Sequence, residues 1–229
     1  MAIPPPETPT TALQTEPTRR LRMSYEEYLA WADEDLHAEW VNNEVIVHLP
    51  PKQPYQITVA FLLRLLGQFI ELFHLGRLLP APFEMRAVAD GPAREPDLLF
   101  VAQEHLERLS EARLNGPADL VIEVVSDDSV ARDRADKFYE YQAAGIPEYW
   151  IIDSRPGRSR VDFYVLDQQG RYQPVPADSN GRYHATVLPG LWLQVDWLMA
   201  EEPPAVLPTL ARIVGPQKLL EVIDDTTNS

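Results

Sequence analysis

The sequence predicts an α/β domain in which a mixed sheet is flanked by helices. Three observations carry this reading. Two apolar runs, Leu98-Leu99-Phe100-Val101 and Leu120-Val121-Ile122-Glu123-Val124-Val125, have the length and composition of buried strands, and Glu148-Tyr149-Trp150-Ile151-Ile152-Asp153 is a third. Ile57 to about Leu75 repeats Val59, Leu62, Leu63, Leu66, Phe69, Ile70 and Phe73 at helical spacing, which predicts the principal core helix. The stretch after Glu123 is a charged helix stopped by Gly145 and Pro147.

The chain order fills in the rest. Five prolines before residue 20 predict a disordered leader over 1–20. Ser24 and Glu27 form a capping-box pattern that opens a short helix reaching about Asp33. Asn42-Asn43 predicts a hairpin between strands at His37–Val41 and Glu44–Leu49, because asparagine tolerates the left-handed backbone of such a turn. Gly76 is read as the stop of the long helix, Arg77–Val88 as one strand, and Gln103–Asn115 as a short helix plus a loop. In the later helix Val130, Arg134, Lys137, Phe138 and Tyr141 share the inward face. Val161, Phe163 and Val165 alternate on a strand, Asn180-Gly181 marks another hairpin, and Leu191–Val195 closes the core. A domain over 21–200 is expected, followed by a 201–229 tail with short helices at Thr209–Val214 and Gln217–Ile223 and a frayed end.

Composition narrows the function. A chain of 229 residues with 45% hydrophobic content suffices for one substantial core. The absence of cysteine excludes disulfides, thiolate metal sites and a cysteine nucleophile, and it fits a cytoplasmic location. The longest apolar run contains Arg64 and Glu71, so a core helix is expected and no membrane partner. A net charge of −15 argues against a broad basic face for nucleic acid, but leaves room for a site that meets phosphate through a bound cation. The five histidines lack metal-ligand spacing, and no nucleophile elbow, phosphate loop or dinucleotide fingerprint is present.

The chemistry centres on two acids. Asp97 stands at the mouth of one apolar strand and Glu123 in the middle of another. A carboxylate in an apolar strand is costly unless it is paired or coordinates a cation. If the strands lie side by side, both acids can share one hard cation such as magnesium. Two structural roles compete: Asp97 capping the turn after Pro96, and Glu123 pairing with an arginine such as Arg134. Glu84, alternating with Phe83 and Met85, is expected to face solvent.

Pro96-Asp97, Glu123-Val124-Val125, Arg132-Asp133, Lys137, Tyr141, Gly145 and Glu148-Tyr149-Trp150-Ile151-Ile152-Asp153 together resemble the Uma-two family, over roughly Met23 to Leu166. That family belongs to the restriction-endonuclease-like superfamily, with its PD-(D/E)XK active site. The resemblance implies a restriction-endonuclease-like core and a metal-dependent endonuclease that hydrolyses phosphodiester bonds. It implies Mg2+, with Mn2+ as a substitute, held by Asp97 and Glu123. The superfamily lysine falls at Val125, and the family relocates it to a helix, which points to Lys137 as the catalytic ammonium; the competing role is a side chain that snorkels along the core and pairs with Asp133 one turn before it. Glu39, in Glu39-Trp40-Val41-Asn42-Asn43-Glu44, matches an acid that faces the metal in the family; its competing role is an exposed hairpin acid. Family members carry Asp-Gly where Asn42-Asn43 stands, and a histidine where Tyr55-Gln56 stands. The implied partners are nucleic acid, DNA before RNA, and a second copy in a homodimer. Arg132, Arg134, Arg155, Arg158 and Arg160 are the basic residues that could hold phosphates. The alternative is a catalytically weak or inactive nuclease fold that serves as a binding or oligomerisation module, which the acidic charge and Val125 favour.

Overall fold

The computed structural model describes residues 19–32, 37–48, 50, 52–126, 132–155 and 157–227. The first described element is strand β1 (Arg19–Arg22), whose first two residues fall within the segment expected to be leader. Helix α1 (Tyr25–Trp31) starts at the capping box: Ser24 accepts from the Glu27 amide, and the Glu27 carboxylate accepts from the Ser24 amide. Strands β2 (Ala38–Val41) and β3 (Glu44–Val47) follow, joined through Asn42 and Asn43 at φ 51° and 61°. Two successive left-handed residues make the tight turn that suits the strand twist. These strands form a small antiparallel sheet in the order β1-β3-β2.

Helix α2 (Gln53–Leu72) starts one turn earlier than its apolar pattern, with Pro54 in its first turn, where the missing N–H costs nothing. Its length and apolarity satisfy those of a membrane span, but Phe61, Leu62, Leu65, Leu66, Phe69 and Ile70 are buried in the protein core. Gly76 does not end it. Phe73 is the cap residue, and Gly76 begins strand β4 (Gly76–Pro80). There φ is +144°, and a Cβ would lie 2.1 Å from the Val101 carbonyl oxygen, so glycine is required by close backbone approach. The single strand expected over 77–88 is two strands, divided by the cis Ala81-Pro82 peptide: β4 and β5 (Glu84–Arg86).

Strand β6 (Leu98–Ala102) and a 3-10 turn at Gln103–Arg108 come next. The loop expected before residue 115 contains β7 (Arg113–Asn115), which pairs parallel with β5. Strand β8 (Leu120–Val124) is buried throughout. A π-helical turn at Arg132–Asp136 leads into α3 (Lys137–Ala144), which Gly145 closes at φ +78°. The cap residues 127–129 and Val130 lie outside the described residues. Strands β9 (Glu148–Asp153), β10 (Arg160–Leu166) and β11 (Tyr172–Pro174) follow, then the hairpin β12 (Arg182–His184) and β13 (Trp192–Gln194). Helices α4 (Val195–Met199), α5 (Val206–Val214) and α6 (Pro216–Thr227) end the chain.

The principal sheet has six strands in the order β11-β10-β9-β8-β6-β4, with β8 and β9 parallel and the other neighbours antiparallel. The fold is therefore mixed α/β, as the sequence predicts. Alternation splits each central strand between two cores. Leu98, Phe100, Leu120, Ile122, Val124, Trp150 and Ile152 pack with α2. Leu99, Val101, Val121, Tyr149 and Ile151 pack with Tyr141 of α3. Leu210, Ile213 and Leu219 join the α2 side, so the core extends beyond residue 200. Burying these two apolar layers supplies the main stabilisation, at about 25 cal/mol per Å².

Candidate active site

Strand register brings the two acids together. In the β6–β8 pair Leu98 faces Ile122, and one further step sets Asp97 opposite Glu123. Asp97 Oδ2 accepts from the Val124 amide at 2.6 Å, which ties the Asp97 carboxylate to the backbone beside Glu123. Its Oδ1 accepts from the Tyr55 hydroxyl, in the first turn of α2. Both acids are buried. Glu123 shares the strand face of Val121 and Val125, toward α3. That facing sets up its contacts: Oε1 accepts from Lys137 Nζ at 2.7 Å and from the Tyr141 hydroxyl at 2.9 Å. Lys137 and Tyr141 are four apart on α3 and project side by side.

Lys137 is only 2% exposed, and its ammonium bridges two acids, reaching Glu39 Oε1 at 2.9 Å as well as Glu123. Glu39, fully buried on β2, is no exposed hairpin acid. Its Oε2 accepts from Arg94 Nη1 at 3.0 Å, and Arg94 in turn grips both oxygens of Glu140, at 2.7 and 2.8 Å. Burial by itself would raise the Glu39 carboxyl. The Lys137 ammonium and the Arg94 guanidinium outweigh burial and hold it well below the usual carboxylate range. Arg94 is correspondingly held above its ordinary value: burial opposes its charge, but Glu39 and Glu140 prevail.

The stretch Ala93–Asp97 places these groups. Ala93 bridges to Trp40 of the small sheet and Arg94 to Met85 of β5, before the chain enters β6. Glu95 accepts from the Ala38 amide at 3.0 Å. Burial, reinforced by the nearby Glu39 charge, pushes its carboxyl up to about 8. His37 and His48 stack at 4.3 Å between ring centroids, with Nε2 atoms 3.6 Å from Glu95 and Glu39 respectively. Burial, and then the His48 charge, pull the His37 imidazole down to about 4.

Asp97, Glu123, Lys137 and Glu39 therefore converge. The competing pair of Glu123 with Arg134 is not made: Arg134 pairs with Asp162. The Asp133 side chain, the rival partner for Lys137, lies outside the described residues, as does that of Arg132. Glu84 corrects the expectation of a solvent-facing acid. It is buried, accepting from the Tyr25 hydroxyl at 2.5 Å and lying 3.4 Å from Arg113, because α1 and β7 cover β5. Arg155 pairs with Asp153 and Arg160 with Asp162, so these arginines already hold acids. Sequence reasoning missed Arg94, Glu95 and the contacts of Tyr55. Arg94-Glu95 directly precede Pro96-Asp97, the one local signal that could have drawn notice.

The donor set fits a hard divalent cation. Among the described residues no group of three or more His, Cys, Asp or Glu side chains is arranged to hold a metal. Magnesium needs fewer: it keeps several waters and takes one or two carboxylates plus substrate phosphate. Around the cations Lys137 and Arg94 stand the carboxylates of Glu39, Glu123 and Glu140, with the Asp97 carboxylate tied to the backbone beside Glu123. Asp97 and Glu123 would hold the ion.

Comparison with known proteins gives the family and the fold. A family model described as "Uma2: Putative restriction endonuclease" matches residues 25–196. No curated protein matches the chain. Among solved structures the chain is similar to one titled as a putative nuclease belonging to DUF820 from Anabaena variabilis. The TM-score is 0.60 at 14% identity, over 76% of this chain and 96% of that one. That likeness shows a shared fold. With the family match spanning most of its length, the chain belongs to the Uma2 family, the same family that Pro96-Asp97, Glu123 and Lys137 suggest.

Proposed function

We propose that this protein is a magnesium-dependent endonuclease that hydrolyses phosphodiester bonds of nucleic acid, DNA before RNA. One observation carries the reading: the Lys137 ammonium lies 2.7 Å from Glu123, whose strand neighbour Val124 binds Asp97. The family description, a restriction endonuclease, favours DNA. Asp97 and Glu123 would hold the cation (Mg2+, or Mn2+ in its place), which when bound would supply polarisation of the phosphate and a lowered pKa for the attacking water.

The chain's own residues do the rest. Lys137 orients the water and offsets the negative charge that grows on the phosphate oxygens. Glu39 holds Lys137 from the far side. Arg94 neutralises the other Glu39 oxygen, so that Glu39 does not draw the ammonium away from the site. The rival reading of an inactive binding module rests on the net charge of −15, on the lack of a recognisable DNA-binding appendage and on Val125 in place of a lysine, and only the last is answered by the structure. Lys137 supplies that ammonium from α3.

The test is incubation of the purified protein with supercoiled DNA and single-stranded RNA in millimolar Mg2+, beside Lys137→Met. Nicking of DNA by the wild type and its loss in Lys137→Met support the reading. Equal cleavage by both would remove Lys137 from the mechanism, and no cleavage of either substrate would favour the binding module.

A further inference from the structure

We infer that Tyr55 is a positioning residue for the cation site, fixing the orientation of Asp97 by hydrogen-bonding the carboxylate oxygen that the strand backbone does not. The inference rests on the cation reading above. The terminal torsion of an aspartate is soft, because rotation about an sp³–sp² bond has no sharp wells. The Val124 amide restrains Oδ2 from within the sheet, and the Tyr55 hydroxyl restrains Oδ1 from the first turn of α2. Two donors from separate elements define the plane of the carboxylate. Magnesium demands near-ideal octahedral geometry, so a ligand free to swing binds it poorly.

A tyrosine suits the position for a second reason. It supplies a proton without a charge. A lysine or arginine at this point would neutralise Asp97 and repel a divalent ion. Glu123 receives the same kind of donor from Tyr141, so each of the two acids accepts one tyrosine hydroxyl. Tyr141 is fully enclosed beside Lys137, whereas Tyr55 is only half-buried. Its ring packs against the α2 side of the core, which sets where its hydroxyl points. Orienting groups behind a metal ligand typically change affinity by about ten- to a hundredfold.

The test is calorimetric titration of MgCl2 into the wild type, Tyr55→Phe and Tyr55→Leu, with melting temperatures recorded beside it. The expected result is a magnesium Kd about ten- to a hundredfold higher in both variants, while Tyr55→Phe melts within a few degrees of the wild type. Wild-type affinity in Tyr55→Phe, or loss confined to Tyr55→Leu, would leave the ring with a packing role and overturn the inference while the cation reading stands. Loss of the fold in Tyr55→Phe would also overturn it, since the hydroxyl would then be a stability device. If the wild type binds no magnesium, the cation reading itself fails first.

Discussion

Lys137 and Glu123 form a buried ion pair at 2.7 Å, made between the first residue of a helix and the middle of a strand. Such a pair is expensive to bury, and replacing both partners by apolar groups is often neutral or stabilising. A pair that adds little to stability beside Asp97 and Glu39 is the observation that the proposed reaction site would explain.

Removing Lys137 separates these two roles. In Lys137→Met, Glu39 and Glu123 lose their shared ammonium, and stability should fall by about 3 kcal/mol. Cleavage should fall at least about a hundredfold at temperatures where the variant is fully folded. Urea unfolding and initial rates check the two numbers separately.

Glu39 sets part of the acid limb of stability. Its folded carboxyl lies below its unfolded value, so its contribution is full above the ordinary glutamate range, near pH 4.5, and is lost as pH falls through the folded value. Glu39→Gln should be less stable than wild type by about 2–4 kcal/mol at pH 7. The gap should narrow progressively below pH 4.5, which unfolding curves at pH 7, 5, 4 and 3 would reveal. A constant gap would mean that the Glu39 carboxyl titrates alike in the folded and unfolded chain.

His37 acts over a different window. Its imidazole is depressed to about 4 against 6.5 when unfolded, because it is buried beside His48. The unfolded chain therefore takes up the proton first, and stability drops as pH falls from about 6.5 to 4, then levels for this group. With the side chain 29% exposed, the total is about 1–2 kcal/mol after allowance for solvent screening. His37→Phe should flatten the stability curve in that interval.

Glu148 stands at the head of β9 but belongs to the architecture. Its two oxygens accept from Trp150 Nε1, the Tyr183 hydroxyl and the amides of Thr186 and Val187, at 2.5 to 2.9 Å. Glutamine would aim an NH2 group at donors. Glu148→Gln should cost about 2–3 kcal/mol in stability and leave magnesium affinity unchanged. Denaturation and calorimetry on the same sample check both.

The sequence made much of this site legible, through two kinds of signal. The central strands follow from unbroken apolar runs, such as the one around Ile122 and Val124 that is buried throughout, and the α2 and α3 helices from periodicity, since Phe69 recurs with Leu62 and Leu66 on one face. The convergence of Glu39 and Lys137 on Glu123 is not periodic information, and it was readable only through the resemblance. Arg94 stayed hidden because its partners, Glu39 and Glu140, are 55 and 46 positions away and no local pattern links them. Glu84 misled because alternation in a short strand gives sides, not their neighbours: its far side is covered by Tyr25 and Arg113. Gly76 misled because glycine serves both helix ends and tight strand contacts.

The most direct measurement is calorimetric titration of magnesium into the wild type, Asp97→Ala and Glu123→Ala, with DNA cleavage followed on the same preparations. The expected result is binding by the wild type, its loss in both variants, and cleavage that tracks binding. A folded wild type that binds no magnesium or manganese at millimolar concentration would contradict the account and leave Asp97 and Glu123 as structural acids.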